Sequence, residues 1–296
     1  MGETMDERDF LAARFEEHRA QLRAVAYRML GSLSEADDAV QEAWIRLSRV
    51  DAGTVENLSG WLTTIVARVC LNMLRARDSR REEPLDVRVP DPIVSEGPDA
   101  DPERAAVLAD SVGLALLVVL ESLTPAERLA FVLHDMFGVT FEEIAPMIER
   151  TPVAARQLAS RARRRVRGQA PSPDPDLQRQ RAVVDAFFAA TRDGDFEALL
   201  AVLDPDVVVR SDGGTARAGL TGVLRGSRAV AEQVSSGGAK FAPFVRPALV
   251  NGAAGAVVEA GGRLLAVMGF TVAQDRIVAV DVLYDPDRLA GLDLGT

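Results

Sequence analysis

The chain has 296 residues, enough for two or three domains, and a hydrophobic content of 48% that can fill ordinary cores. A formal net charge of −10 excludes a generally basic nucleic-acid coat, so any nucleic-acid contact has to be local. The single cysteine, Cys70, excludes an internal disulfide; the acidic start MGETMDERDF is no signal peptide, and the apolar run 114–120 is too short to span a bilayer. A protein of the reducing cytoplasm, with no membrane contact, is expected.

Residues 9–31 read as an amphipathic helix with Phe10, Phe15, Leu22, Val25, Ala26 and Leu30 on its buried side and Gly31 at its end. Ser34 is expected to cap a second helix running to about Leu47. In it Asp37, Asp38, Gln41 and Glu42 form a polar patch one turn wide, although acids early in a helix also simply complement the dipole. A third helix over 58–78 carries Trp61, Leu62, Ile65, Val66, Val69, Leu71 and Leu74. Its C-terminal half is loaded with Arg68, Arg75, Arg77, Arg80 and Arg81, a bias the dipole alone also favours. Cys70 on this apolar helix reads as a buried small residue.

Residues 82–102 are rich in proline and acids, show no periodicity and read as a flexible linker. A helix over 103–120 follows, then one over 126–137 with Thr124 as N-cap and Pro125 at its first position. Phe141, Ile144, Ala145 and Ile148 then define one apolar helical face behind Thr140 and Glu143, spaced as a capping box. After a turn at Glu149-Arg150, Thr151 caps another helix with Pro152 first and a thin apolar stripe of Val153, Leu158, Ala162 and Val166. That helix carries Arg156, Arg161, Arg163, Arg164, Arg165 and Arg167, with no acid between Arg150 and Asp174. A solvated face mixes both signs, so a one-signed helix after a turn points to a helix-turn-helix whose second helix meets phosphate.

The grammar changes after the second linker, PSPDPD at 171–176. Helices over 177–192 and 195–203 precede β-type runs at 207–210, 255–260, 264–272 and 277–283, separated by glycine-rich turns. Two helices followed by strands predict a small α+β domain with a curved sheet.

Three blocks, EADDAVQEAWIRL (35–47), WLTTIVARVCLNMLRAR (61–77) and LTPAERLAFVLHDMFGVTFEEIAPMIERTPVAARQLASRARRRV (123–166), occur in the order and spacing of an extracytoplasmic-function sigma factor of the sigma-70 family, which residues 10–168 resemble. Residues 177–296 resemble a SnoaL-like domain, a cone-shaped α+β barrel that one sigma subgroup carries fused at its C-terminus. The resemblance implies a multidomain chain: sigma region 2 (1–81), a flexible linker (82–102), an all-α region 4 with the helix-turn-helix (103–170), a linker (171–176) and the SnoaL-like domain (177–296). It implies that Asp38, Gln41 and Glu42 dock on the β′ clamp helices of core RNA polymerase. It also implies that Arg68, Asn72, Arg75 and Arg77 serve the promoter −10 element, and that Arg156, Gln157, Ser160, Arg161 and Arg164 serve the −35 element. Val69 stands where asparagine is common, and Ile148-Glu149 replaces the usual Leu-Gly turn, which bears on the angle between the helices.

Members with a fused barrel use it in place of a separate anti-sigma protein, which implies intramolecular contact with the sigma domains. Two stretches resemble that subgroup's motifs, Asp212-Gly213-Gly214 and Asp285-Pro286-Asp287-Arg288-Leu289, although turn chemistry alone also selects such residues. No catalytic residue, metal or cofactor is expected. Two other readings stay open: a barrel that binds a small ligand or works as an isomerase or cyclase, and a plain helix-turn-helix repressor. Against the first, both histidines, His18 and His134, lie outside the barrel; against the second, a repressor has no use for a polymerase-docking surface.

Overall fold

The computed structural model describes residues 3–49, 57–80, 87–95, 113–169 and 173–292. The chain divides into two compact units, Met1–Pro84 with Val119–Arg167, and Leu85–Val118 with Gly168–Thr296. Both sigma-like regions thus fall largely in the first unit.

The first unit begins with three helices, α1 (Glu3–Leu30), α2 (Leu33–Leu47) and α3 (Leu58–Arg80). Their apolar faces meet in a core of Phe15, Leu22, Met29, Ala39, Ala43 and Leu62. Gly31 ends α1 in the left-handed conformation that glycine adopts without strain. Ser32, not Ser34, occupies the N-cap position of α2, with no side-chain cap bond. Cys70 is fully buried, and burial pushes its thiol above the usual cysteine range, which leaves it inert.

After α4 (Leu114–Glu121), the expected N-cap Thr124 forms, and as a full capping box: Thr124 accepts from the Glu127 amide and Glu127 from the Thr124 amide, at the start of α5 (Pro125–Phe131). A wider π-type turn, Val132–Met136, extends α5. His134 then stacks on Phe141 with ring centroids 3.9 Å apart and bonds the Val139 carbonyl through Nδ1, fixing the connection. A second capping box, Thr140 with Glu143, opens α6 (Phe141–Ile144), and the Thr140 hydroxyl holds the Glu143 carboxyl below its usual range. Glu149 takes φ +56, the left-handed turn conformation that glycine usually supplies, so the replacement of Leu-Gly leaves that turn conformation in place at a strain of roughly 1–2 kcal/mol. Helix α7 (Pro152–Gln169) follows. Within this unit Arg128, 2% exposed, donates Nη1 to the Met29 carbonyl at 2.8 Å and to Glu121 at 3.0 Å, while Arg28 lies 4.9 Å over the Phe137 ring.

The second unit is an α+β domain. Helices α8 (Leu177–Asp193), α9 (Phe196–Val202) and α10 (Ser227–Gly237) accompany a seven-stranded sheet of order β1-β4-β5-β6-β7-β2-β3. The strands are β1 (Val94–Ser95), β2 (Leu203–Asp212), β3 (Gly222–Arg225), β4 (Val245–Val250), β5 (Ala253–Ala260), β6 (Arg263–Ala273) and β7 (Arg276–Leu283). A short helix α11 (Pro286–Ala290) closes the described chain. The four runs expected as strands lie in β2, β5, β6 and β7; β1, β3, β4 and α10 were not foreseen. Pleating sorts the side chains: Ala254, Phe270, Val280 and Val282 pack with Val184 and Phe187 of α8. On the opposite face Asp281 is buried beside Arg210, which donates to it at 3.0 Å, yet burial holds its carboxyl above the usual aspartate range. There Gly269 leaves the space that Leu114 fills; a Cβ would stand 2.7 Å from Leu114 Cδ2.

The described part of the expected flexible linker is ordered. Residues 87–95 form a strap from the end of β2 to the sheet edge, where Val94 and Ser95 pair with Val250 and Leu249. Asn251 exchanges two hydrogen bonds with Ile93. Residues 173–176 are also docked, with Asp174 N donating to the Val272 carbonyl and Asp176 capping α8. The rest of 82–102, the start of the helix expected over 103–120, and Pro171 lie outside the described residues.

Candidate nucleic-acid interface

Helix α7 has two faces. Ala155, Ala159 and Ala162 are buried, and Leu158 and Val166 are half-buried beside them. Small alanines let the helix backbone approach its neighbours closely. Arg156, Gln157, Ser160, Arg161 and Arg164 are all exposed on the other side. Val153 does not belong to the apolar stripe as expected: it is 62% exposed. The arginines divide as well. Arg163 pairs with Asp135 at 2.5 Å, and Arg165 with Glu127 at 3.2 Å and the Ser122 carbonyl, so these two fasten α7 to α5. Arg156 sits 5.3 Å over Phe141, and Arg161 is mostly exposed, 4.0 Å from Glu127. What remains open is a basic, donor-rich helical face of the kind that meets phosphate and base edges.

On α3, Arg68, Asn72 and Arg75 are exposed at i, i+4 and i+7, one face, with half-exposed Trp61 and Ile65 continuing it toward the helix start. In the sequence Trp61 reads only as one of the apolar residues of this helix; its spacing to Arg68 and Asn72 is the signal that it shares their face. Arg77 is placed elsewhere: it turns inward, bonds the Leu30 carbonyl at 3.1 Å and pairs with Glu35. The structure therefore gives Arg77 a part in holding α1, α2 and α3 together rather than an open contact. On α2, Asp38 and Gln41 are exposed, and Glu42 pairs with Arg46 at 2.8 Å.

Residues 14–80 match the family description Sigma-70 region 2, and residues 113–166 match Sigma-70, region 4. A probable ECF RNA polymerase sigma factor of Mycobacterium tuberculosis, SigI, is 34% identical over 285 residues, covering 96% of this chain and 97% of that protein. The chain belongs to the ECF sigma factors. SigJ of the same organism is 36% identical over 292 residues, covering 95% of this chain and 93% of that one. Its crystal structure superposes with a TM-score of 0.76 at 35% identity, over 96% of this sigma factor and 99% of that chain. The likeness thus extends through the C-terminal domain.

In that domain the sigma factor's two motif stretches converge. Asp285 caps α11, accepting from the Asp287 and Arg288 amides. It packs against Gly214, where an added Cβ would fall 2.0 Å from Asp285 Oδ2 and φ is +58, so glycine is required there. Gly213 is equally constrained, with its would-be Cβ 2.2 Å from the Arg217 carbonyl. This geometry aims Arg288 at the strap. Its guanidinium pairs with Asp91 (Nε–Oδ1 2.6 Å) and Asp212 (Nη1–Oδ2 2.7 Å) and donates to the Val89 carbonyl, while Asp212 also accepts from the Val89 amide at 3.0 Å. Pro286 opens α11, and Leu289 is buried. Asp91 and Val89 were missed from sequence because they lay in a segment with no periodicity to read.

Among the described residues no helix is long and apolar enough to cross a membrane, and no group of three acids, histidines or cysteines is placed to hold a metal ion.

Proposed function

We propose that this sigma factor directs promoter-specific initiation by core RNA polymerase in the cytoplasm, and that its C-terminal domain regulates it by clasping the strap between regions 2 and 4. The observation that carries the regulatory reading is Arg288 joined at once to Asp91, the Val89 carbonyl and Asp212. A strap held at both ends limits how far the two regions can separate, and they must separate to reach two promoter elements. A tethered domain does this with contacts too weak to persist between separate proteins, because its effective concentration is on the order of millimolar. Run-off transcription with core polymerase tests the reading by comparing the full chain with chains ending at 170 and before Asp285. Identical transcription from all three across several promoters would sink it.

The domain acts without catalysis in this reading. Asp281, its most buried acid among the described residues, lies on the sheet face away from the helices and is occupied by Arg210. A cleft of about 110 Å³ between α8 and β4–β5 is lined by Val184, Phe188, Pro247 and Leu249, with Arg181 and Asp185 exposed at its rim. A general base needs a buried carboxylate or histidine facing the substrate, and this lining supplies none.

Asp38, Gln41 and Glu42 dock on the β′ clamp helices in this reading; Arg68, Asn72 and Arg75 meet the −10 element, with Arg77 positioning their helix. Asp38→Arg places like charge against a basic partner and is expected to weaken core binding at least tenfold in a titration, since mispaired charge at an interface costs several kcal/mol. Unchanged affinity would remove Asp38 from the docking face. Arg156, Gln157, Ser160, Arg161 and Arg164 meet the −35 element. Arg161→Ala is expected to cost about 1–3 kcal/mol of promoter binding and relax specificity at one position if it reads a base. A uniform loss on all sequences with a shallower salt dependence would instead make it a phosphate contact.

A further inference from the structure

Val153 is a large apolar side chain standing in solvent at 62% exposure, and among the described residues the other exposed large apolar side chains, Leu220, Val223, Phe241 and Phe244, all belong to the C-terminal domain. Its position on α7 is specific. At about 100° per residue, Val153 lies within roughly 60° of Arg156, Gln157, Ser160 and Arg164, and about 160–180° away from Ala155 and Ala162 of the buried stripe. It therefore sits at the centre of the open face, ringed by cations and amide and hydroxyl groups.

It also falls in the first turn of the helix, where Thr151 Oγ1 accepts from the Ala154 amide and Pro152 fixes the backbone. In helix-turn-helix docking the first residues of the second helix reach deepest toward base edges. Valine is β-branched and stiff at χ1, so its two methyl groups are held out in one direction. In the major groove the one apolar group offered by a base is the thymine 5-methyl. We infer that Val153 reads a thymine methyl in the −35 element, supplying an apolar specificity contact among the polar ones. The inference rests on the reading of α7 as the −35 helix.

The test uses the full sigma factor bound to core polymerase and a promoter duplex selected by that holoenzyme from a randomised pool. Each thymine of the −35 element, on both strands, is replaced in turn by deoxyuridine, which removes only the methyl. The wild type is expected to lose about fourfold in affinity at one thymine, as for one buried methyl-sized group. Val153→Ala should lose about as much on unmodified DNA and be indifferent to deoxyuridine at that same position, while other positions respond as in the wild type. Val153→Thr, which keeps one methyl, should retain part of the response. Full sensitivity of the Val153→Ala protein at every thymine, or a wild type indifferent to every replacement, would overturn the inference and leave the −35 reading standing. If scrambling the −35 element does not weaken holoenzyme binding, that reading fails, and the inference fails with it.

Discussion

Arg128→Ala is expected to lower the stability of the sigma unit by about 3–5 kcal/mol, the cost of breaking a buried ion pair by removing one partner. Arg128 is almost completely buried and joins the Met29 carbonyl of α1 to Glu121 at the end of α4. Removing it takes a charged donor from Glu121, whose side chain is 13% exposed, and from the Met29 carbonyl. Both bonds leave the one planar Nη1, and a lysine ammonium on a flexible stem is not fixed in that geometry, so Arg128→Lys should recover only part of the loss. Urea unfolding followed by helical circular dichroism provides the measurement. A second comparison isolates the mechanism: adding Glu121→Gln to Arg128→Met should be milder than Arg128→Met alone, because no uncompensated charge remains. A loss below 1 kcal/mol for Arg128→Ala would show that water reaches this site and that the contact between α1 and α5 is not held by it.

Arg288→Ala is expected to free the strap and raise transcription. Three acceptors converge on this guanidinium, and the side chains of Asp91 and Asp212 are each only 8% exposed. Truncating one member of a buried, hydrogen-bonded charge pair costs about 2–5 kcal/mol, and each 1.4 kcal/mol is a factor of ten in the clasped-to-open ratio. The local consequence is read by amide hydrogen exchange: Val89 N–H, bonded to Asp212, and Ile93 N–H, bonded to Asn251, should lose protection while the β5–β6–β7 core keeps its own. The functional consequence is read by run-off transcription, in which the variant should exceed the full chain. Arg288→Lys should fall between the two. Unchanged protection at Val89 would show that Arg288 does not hold the strap; lost protection with unchanged transcription would separate the clasp from regulation.

Much of this architecture was legible in the chain itself. The capping pairs Thr124 with Glu127 and Thr140 with Glu143, the turn before α7 and the one-signed charge of α7 are local patterns, set by neighbours three or four residues away. The apolar β-type runs of β2, β5, β6 and β7, bounded by turn residues, were equally local. Val153 was counted into the apolar stripe, yet at about 100° per residue it lies opposite Ala162, so the helical period already turned it outward and the burial of Ala155, Ala159 and Ala162 agrees with that. What sequence could not give were the positions whose surroundings come from far along the chain. Arg77 resembles its basic neighbours until Glu35 and the Leu30 carbonyl draw it inward. Residues 87–95 have no period to detect, because their order comes from Asp212, Asn251 and Arg288, more than 120 residues distant. The sequence by itself determined most of the helices, the Thr124 and Thr140 caps, and the order of helical regions before the α+β domain. The tertiary structure alone decided that the apparent linker is a clasped strap, since a hydrogen bond between distant residues leaves no periodic trace in either of them.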